Sequence, residues 1–151
     1  MRIRQAKESD AKILSELWQR SIRELCRECY PPEIIEAWAS DKTPRRIREL
    51  LRCEEFFFLA EKDGHPAGFC CGSFSLGTLA LYVCPDFTGA GVGKKLLHTL
   101  EALARFEGKK SLAFHSSLNA IGFYEKSGYS RCGEPICFQG KKAIPVRKDF
   151  L

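Results

Sequence analysis

The sequence predicts an α/β fold in which helices pack on a mixed central sheet, and three observations predict it. Segments with a helical apolar period alternate with short strand-like apolar runs. Asp63-Gly64 separates two such runs, a strong short-range signal for a β-hairpin. The apolar run ending at Val83 leads into Thr88-Gly89-Ala90-Gly91-Val92-Gly93, where a helical pattern begins.

Arg2–Gln5 reads as the first strand. Ser9 or Asp10 is the candidate N-cap of a helix with apolar positions Ile13, Leu14, Leu17, Trp18, Ile22, Leu25, Cys26 and Cys29. Tyr30-Pro31-Pro32 stops it, because proline lacks an amide donor and clashes with the preceding turn. Pro32 suits the first position of a second helix reaching Ser40. A third, Pro44–Cys53, turns Ile47, Leu50 and Leu51 inward. Glu55–Glu61 and Pro66–Phe74 are the hairpin strands, and Thr78–Val83 is a third strand, ended by Pro85-Asp86. Helical period returns over Gly91–Glu107, with Val92, Leu96, Leu97, Leu100, Leu103 and Ala104 on one side. A strand (Lys110–His115), a short helix (Leu118–Ser127) and a closing strand pair (Tyr129–Phe138, Lys141–Phe150) complete the order.

A chain of 151 residues suits one domain, 1–151. Its 44% apolar and 28% charged residues are ordinary globular usage. No apolar run approaches the roughly 18 residues of a membrane span, and Met1–Asp10 is too polar for a secretory signal. The expected location is the cytoplasm. The net charge of +5 comes without a basic stripe, which argues against a nucleic-acid partner. Of the eight cysteines only Cys26 and Cys29 have ligand-like spacing, and no second pair follows. Both fall on the apolar stripe of the first helix, where cysteine packs as a small hydrophobe. Cys70 and Cys71 are expected to face opposite sides of a strand. Reduced thiols and no metal site are the expectation.

The glycine turn carries the chemistry. Glycines let the chain enter left-handed conformations and leave backbone amides open to a close ligand. A helix N-terminus adds free amides and a positive dipole, which together favour bound phosphate. Lys94 and Lys95 add charge there. A Walker loop is excluded, since Thr88 and Lys95 stand where it needs Gly and Ser/Thr. A dinucleotide fingerprint fails too, with Lys94 or Leu96 at its last glycine.

The turn resembles the Arg/Gln-x-x-Gly-x-Gly/Ala pyrophosphate loop of GNAT acetyltransferases: Gly91 and Gly93 match, and Thr88 replaces the usual Gln or Arg. About 30 residues on, Asn119, Phe123, Tyr124, Gly128 and Tyr129 are similar to that family's Asn…Phe-Tyr-x-x-x-Gly-Phe helix. Arg4, Ala6 and Asp10 resemble its start, so the likeness runs nearly the whole chain. It implies a GNAT fold, a central mixed, mostly antiparallel sheet flanked by helices.

It also implies a function, acetyl-CoA-dependent N-acetyl transfer to a primary amine without a metal. The strand carrying Leu81, Tyr82 and Val83 would pair with the pantetheine arm, as an added strand does. Amides near Tyr82 and Val83 would polarise the thioester carbonyl. Thr88, Gly89, Ala90, Gly91, Val92, Gly93 and Lys94 would cradle the pyrophosphate, Asn119 would contact coenzyme A, and Tyr124 would be the general acid. Histidine is the residue type suited to proton transfer near neutral pH, so His115 is the candidate base, or else a hydrogen-bonded structural histidine. Glu24, Glu28 and Tyr30 are alternatives, since Gly77–Ala80 holds no carboxylate. A small-molecule amine is the expected acceptor, with Tyr30, Trp38 and the Tyr-Pro-Pro turn as an aromatic pocket or, as is more usual at helical spacing, as core. A peptide acceptor stays open, the basic surplus disfavours a polyamine, and the family's habit of dimerising allows a homodimer. Competing readings are a non-catalytic acyl-CoA-binding domain on the same fold and a small basic interaction module.

Overall fold

Asp63 and Gly64 both adopt positive φ (53° and 78°), as a tight hairpin turn requires. They join β2 (Phe56–Lys62) to β3 (His65–Ser73), paired antiparallel from Phe56↔Gly72 to Lys62↔His65 with a register shift after Ala60. The computed structural model describes residues 1–151. β1 (Arg2–Gln5) and β4 (Thr78–Val83) flank the hairpin, giving the antiparallel order β1-β2-β3-β4. A second antiparallel sheet holds β5 (Ser111–Ser117), β8 (Lys141–Asp149) and β6 (Ser130–Arg131), with β7 (Ile136–Phe138) also paired to β8. The mostly antiparallel central sheet is therefore present in two halves, and no ladder joins β4 to β5.

Helices cover both faces of the first half. α1 (Ala11–Leu25), α2 (Pro32–Ser40) and α3 (Pro44–Cys53) place Leu14, Trp18, Ile22 and Ile47 against Phe57, Phe69 and Cys71. α4 (Val92–Phe106) places Val92 and Leu96 against Ala60, Ala67 and Cys70 on the other face. Adjacent Cys70 and Cys71 thus serve opposite layers, as strand alternation demands. Leu97 and Leu100 of α4 also meet Leu112, Phe114, Val146 and Tyr124, which sits on α5 (Ile121–Lys126).

Four expectations need correction. The Asp10 carboxylate does not cap α1; it accepts two hydrogen bonds from the Arg4 guanidinium (2.8 and 2.9 Å) and one from the Lys7 amide (2.7 Å). That arrangement ties β1 to the start of α1, and the Arg4 guanidinium holds the Asp10 carboxyl below the usual carboxylate range. α1 ends at Leu25, so Cys29 lies exposed in the turn before Pro31-Pro32, and Ile13 sits on the solvent side. Glu55 begins no strand: its carboxylate accepts from the Ser73 hydroxyl at 2.6 Å and closes the β3–β4 loop. The segment expected as one strand over Tyr129–Phe138 divides into β6 and β7, because Gly133 and Pro135 lie between them and proline cannot donate to a ladder. All eight cysteines are free thiols, and Cys26, Cys70, Cys71 and Cys84 are buried. No helix is long and apolar enough to cross a membrane.

Candidate functional site

Where β4 and β5 part, a cleft of about 500 Å³ opens. β4 supplies Leu81, Tyr82 and Val83; the glycine turn supplies Thr88, Gly89, Gly91, Val92, Gly93 and Lys94; Asn119 and Tyr124 close the far wall. Ala90 and His115 are the expected site residues that do not line it.

The turn is built from left-handed glycines. Gly89 (φ 78°) and Gly91 (φ 82°) occupy a region costly for residues with a Cβ. Gly91 is the N-cap of α4, and the first donor inside that helix is the Lys95 amide, to Gly91 O at 3.1 Å. The amides of Gly91, Val92, Gly93 and Lys94 therefore have no backbone acceptor. The Thr88 hydroxyl donates to Pro85 O at 3.2 Å, which steadies the turn without reaching a ligand. Only one of the two expected lysines serves the site. Lys94 lines the cleft, whereas the Lys95 ammonium donates to Met1 O at 2.8 Å, because neighbouring helical residues point about 100° apart.

β4 presents an unpaired edge. The Cys84 amide donates to Ala67 O at 2.8 Å, and β3–β4 register continues through Val83↔Gly68 and Tyr82↔Phe69. Antiparallel alternation then turns the Tyr82 amide toward β3 and leaves the Leu81 and Val83 amides on the free edge. The expected amide donor near Tyr82 is accordingly that of Val83.

Tyr124 is buried, edge-on to Phe114 with ring centroids 4.8 Å apart, and burial pushes its phenol above the ordinary tyrosine range. The Asn119 amide faces the Cys26 thiol, which burial pushes up to about 12 despite that contact. Ser21 and Leu25 of α1 and Phe123 of α5 also line the cleft, and the sequence reading assigned none of them to the site. The signal for Ser21 was a polar residue on an otherwise apolar stripe.

A second cavity, of about 390 Å³, meets the first at Tyr82 and Ser117, which line both. His115 is exposed on β5 and lines this second space, with Trp18, Tyr30, Trp38 and Phe138 as aromatic walls. The other base candidates are hydrogen-bonded or exposed. The Tyr30 phenol donates to Lys142 O at 2.6 Å and accepts from the Leu118 amide at 3.0 Å, a brace between the α1–α2 turn and the second sheet. Glu24 accepts from Arg20 at 2.5 Å, Glu28 is exposed, and neither lines either cavity. No group of three or more His, Cys, Asp or Glu side chains is placed to hold a metal ion.

Residues 19–129 match the model of the acetyltransferase (GNAT) family. An uncharacterised acetyltransferase of Streptococcus pyogenes serotype M1 is 43% identical over 66 residues, 44% of this chain and 46% of that protein. The chain thus spans about half the length of the curated relatives it matches. Among solved structures, a GCN5-related N-acetyltransferase from Rhodopseudomonas palustris is similar at TM-score 0.90 and 28% identity, over 99% of this chain and 95% of that one. The PaiA N-acetyltransferase of Thermoplasma acidophilum, solved in complex with coenzyme A, is similar at TM-score 0.80 and 21% identity, over 99% and 98%.

Proposed function

Because the chain belongs to the GNAT acetyltransferase family, we propose that residues 1–151 form one domain that transfers the acetyl group of acetyl-CoA to the primary amine of a small molecule. The observation that carries this reading is the junction of two cavities. An anion-ready glycine turn, a free strand edge and a buried phenol line the first, and the aromatic second shares Tyr82 and Ser117 with it.

The residues present fit acetyl-CoA. Four unpartnered amides, from Gly91 to Lys94, converge at the positive end of α4 and suit a pyrophosphate, with Thr88, Gly89 and Ala90 shaping the turn. The free edge of β4 suits the amide groups of a pantetheine arm. When bound, acetyl-CoA supplies an acetyl thioester. The Val83 amide then polarises the carbonyl, Asn119 contacts the cofactor, and Tyr124 donates a proton to the departing sulfur. His115 takes the proton from the acceptor amine, directly or through water, from its place in the second cavity. The PaiA complex supports the fold; the residue roles rest on the cleft itself. Eight free thiols suit the cytoplasm.

Calorimetric titration with acetyl-CoA tests the reading, and saturable one-site binding is expected. No heat at millimolar cofactor would overturn it. For His115, the expected result of His115→Ala is a lower turnover and a pH–rate profile that differs from the parent's. A profile identical to the parent's would remove His115 from the mechanism.

A further inference from the structure

The second cavity looks at first like a cage for a cation, since aromatic faces attract ammonium groups. Those faces are already taken by the protein's own lysines. The Lys42 ammonium lies 4.6 Å from the Trp18 ring centroid, and that of Lys141 lies 4.7 Å from Trp38 and 5.8 Å from Phe138. Lys142 also lines the cavity, and no aspartate or glutamate does. An entering polyamine would meet like charge on every occupied face.

The lysines are not equally compensated. Asp41 approaches Lys42 at 3.3 Å from outside the cavity. Lys141 is half-buried and has no hydrogen-bonded partner; burial first, and the charge of Lys42 second, push its ammonium below the usual lysine range against the smaller opposing charge of Asp41. The indole N–H of Trp18, itself only 4% exposed, faces the Tyr82 hydroxyl.

We infer that the acceptor is an amine that also carries an anionic group, a carboxylate or a phosphate, on a compact apolar body. The anion lies between Lys42 and Lys141, and the body rests among the aromatic walls. The amine points to the junction at Tyr82 and Ser117, where the acetyl group must arrive. This assignment rests on the acetyltransferase reading.

The protein contains two tryptophans, Trp18 and Trp38, and both line this cavity, so intrinsic fluorescence reports its occupancy without any turnover. With coenzyme A present, matched probes are titrated: phenylalanine against phenethylamine, O-phosphoethanolamine against ethanolamine, and spermidine. At least one anionic member is expected to bind about tenfold or more tighter than the counterpart that lacks the anion, and which pair discriminates separates carboxylate from phosphate. Lys141→Met is expected to abolish that ratio and Lys141→Arg to keep it, with coenzyme A binding by calorimetry unchanged in both. Equal binding within both pairs, tighter binding of spermidine, or an unchanged ratio in Lys141→Met would each overturn the inference while leaving cofactor binding intact. Absent coenzyme A binding would instead sink the acetyltransferase reading, and the acceptor assignment with it.

Discussion

Replacing Tyr124 with phenylalanine is expected to lower turnover by roughly 10²-fold or more and to leave coenzyme A affinity nearly unchanged. The ring is held by Phe114, Phe123 and Tyr129, at centroid distances of 4.8, 5.1 and 5.8 Å, and phenylalanine keeps all three contacts. What disappears is a proton donor in the cleft. Burial raises this phenol above its ordinary value of about 10. A raised acid keeps its proton through neutral and mildly alkaline pH and loses it only as pH climbs through the raised value. The contribution of Tyr124 should therefore be flat between about pH 7 and pH 10. The leaving thiol resembles free cysteine, with pKa about 8.5, so it can depart unprotonated at some cost, and a residual rate remains. Steady-state thiol release from parent and variant, at neutral and alkaline pH, checks both statements. A variant as fast as the parent would show that solvent, not Tyr124, protonates the sulfur.

Much of this site was legible because it is local. Gly89, Gly91 and Gly93 follow an apolar run and precede a helical period, and that short stretch places the anion cradle without any tertiary knowledge. Tyr124 and Asn119 were reached through a second short stretch, and they line the same cleft. The parting of β4 and β5 was not legible, since an apolar run reads alike whether its edge is paired or free. The same limit hid the lysines of the second cavity. Lys42 lies between α2 and α3 and Lys141 opens β8, so only tertiary packing brings them to facing aromatic walls. Lys95 failed for a related reason: adjacency in a helix is not adjacency in space, and its ammonium went to Met1 O. Cys29 and Ile13 show that an apolar period marks a stripe without marking its margins.

The second large effect should come from Gly93→Val, and the reason differs from that at Gly91. A Cβ on Gly91 meets nothing within 4 Å, so alanine there costs only the strain of a left-handed residue, about 1–2 kcal/mol. A Cβ on Gly93 would lie 3.3 Å from Phe123 Cζ and 3.5 Å from Val83 Cγ2, and valine adds two further carbons to that contact. Either α4 withdraws from β4, carrying the Gly91–Lys94 amides away from the cleft, or Phe123 swings and disturbs Tyr124 beside it. Overpacking of this kind costs about 1–3 kcal/mol. If most of it is relieved by displacing the cradle, acetyl-CoA affinity falls roughly 10–100-fold, at about 1.4 kcal/mol per factor of ten. Gly91→Ala should show the opposite balance, with a lower urea midpoint and a smaller loss of affinity. Calorimetry and urea unfolding on the two variants separate these effects. Parent-like affinity in a folded Gly93→Val protein would mean that the first turn of α4 does not hold the pyrophosphate.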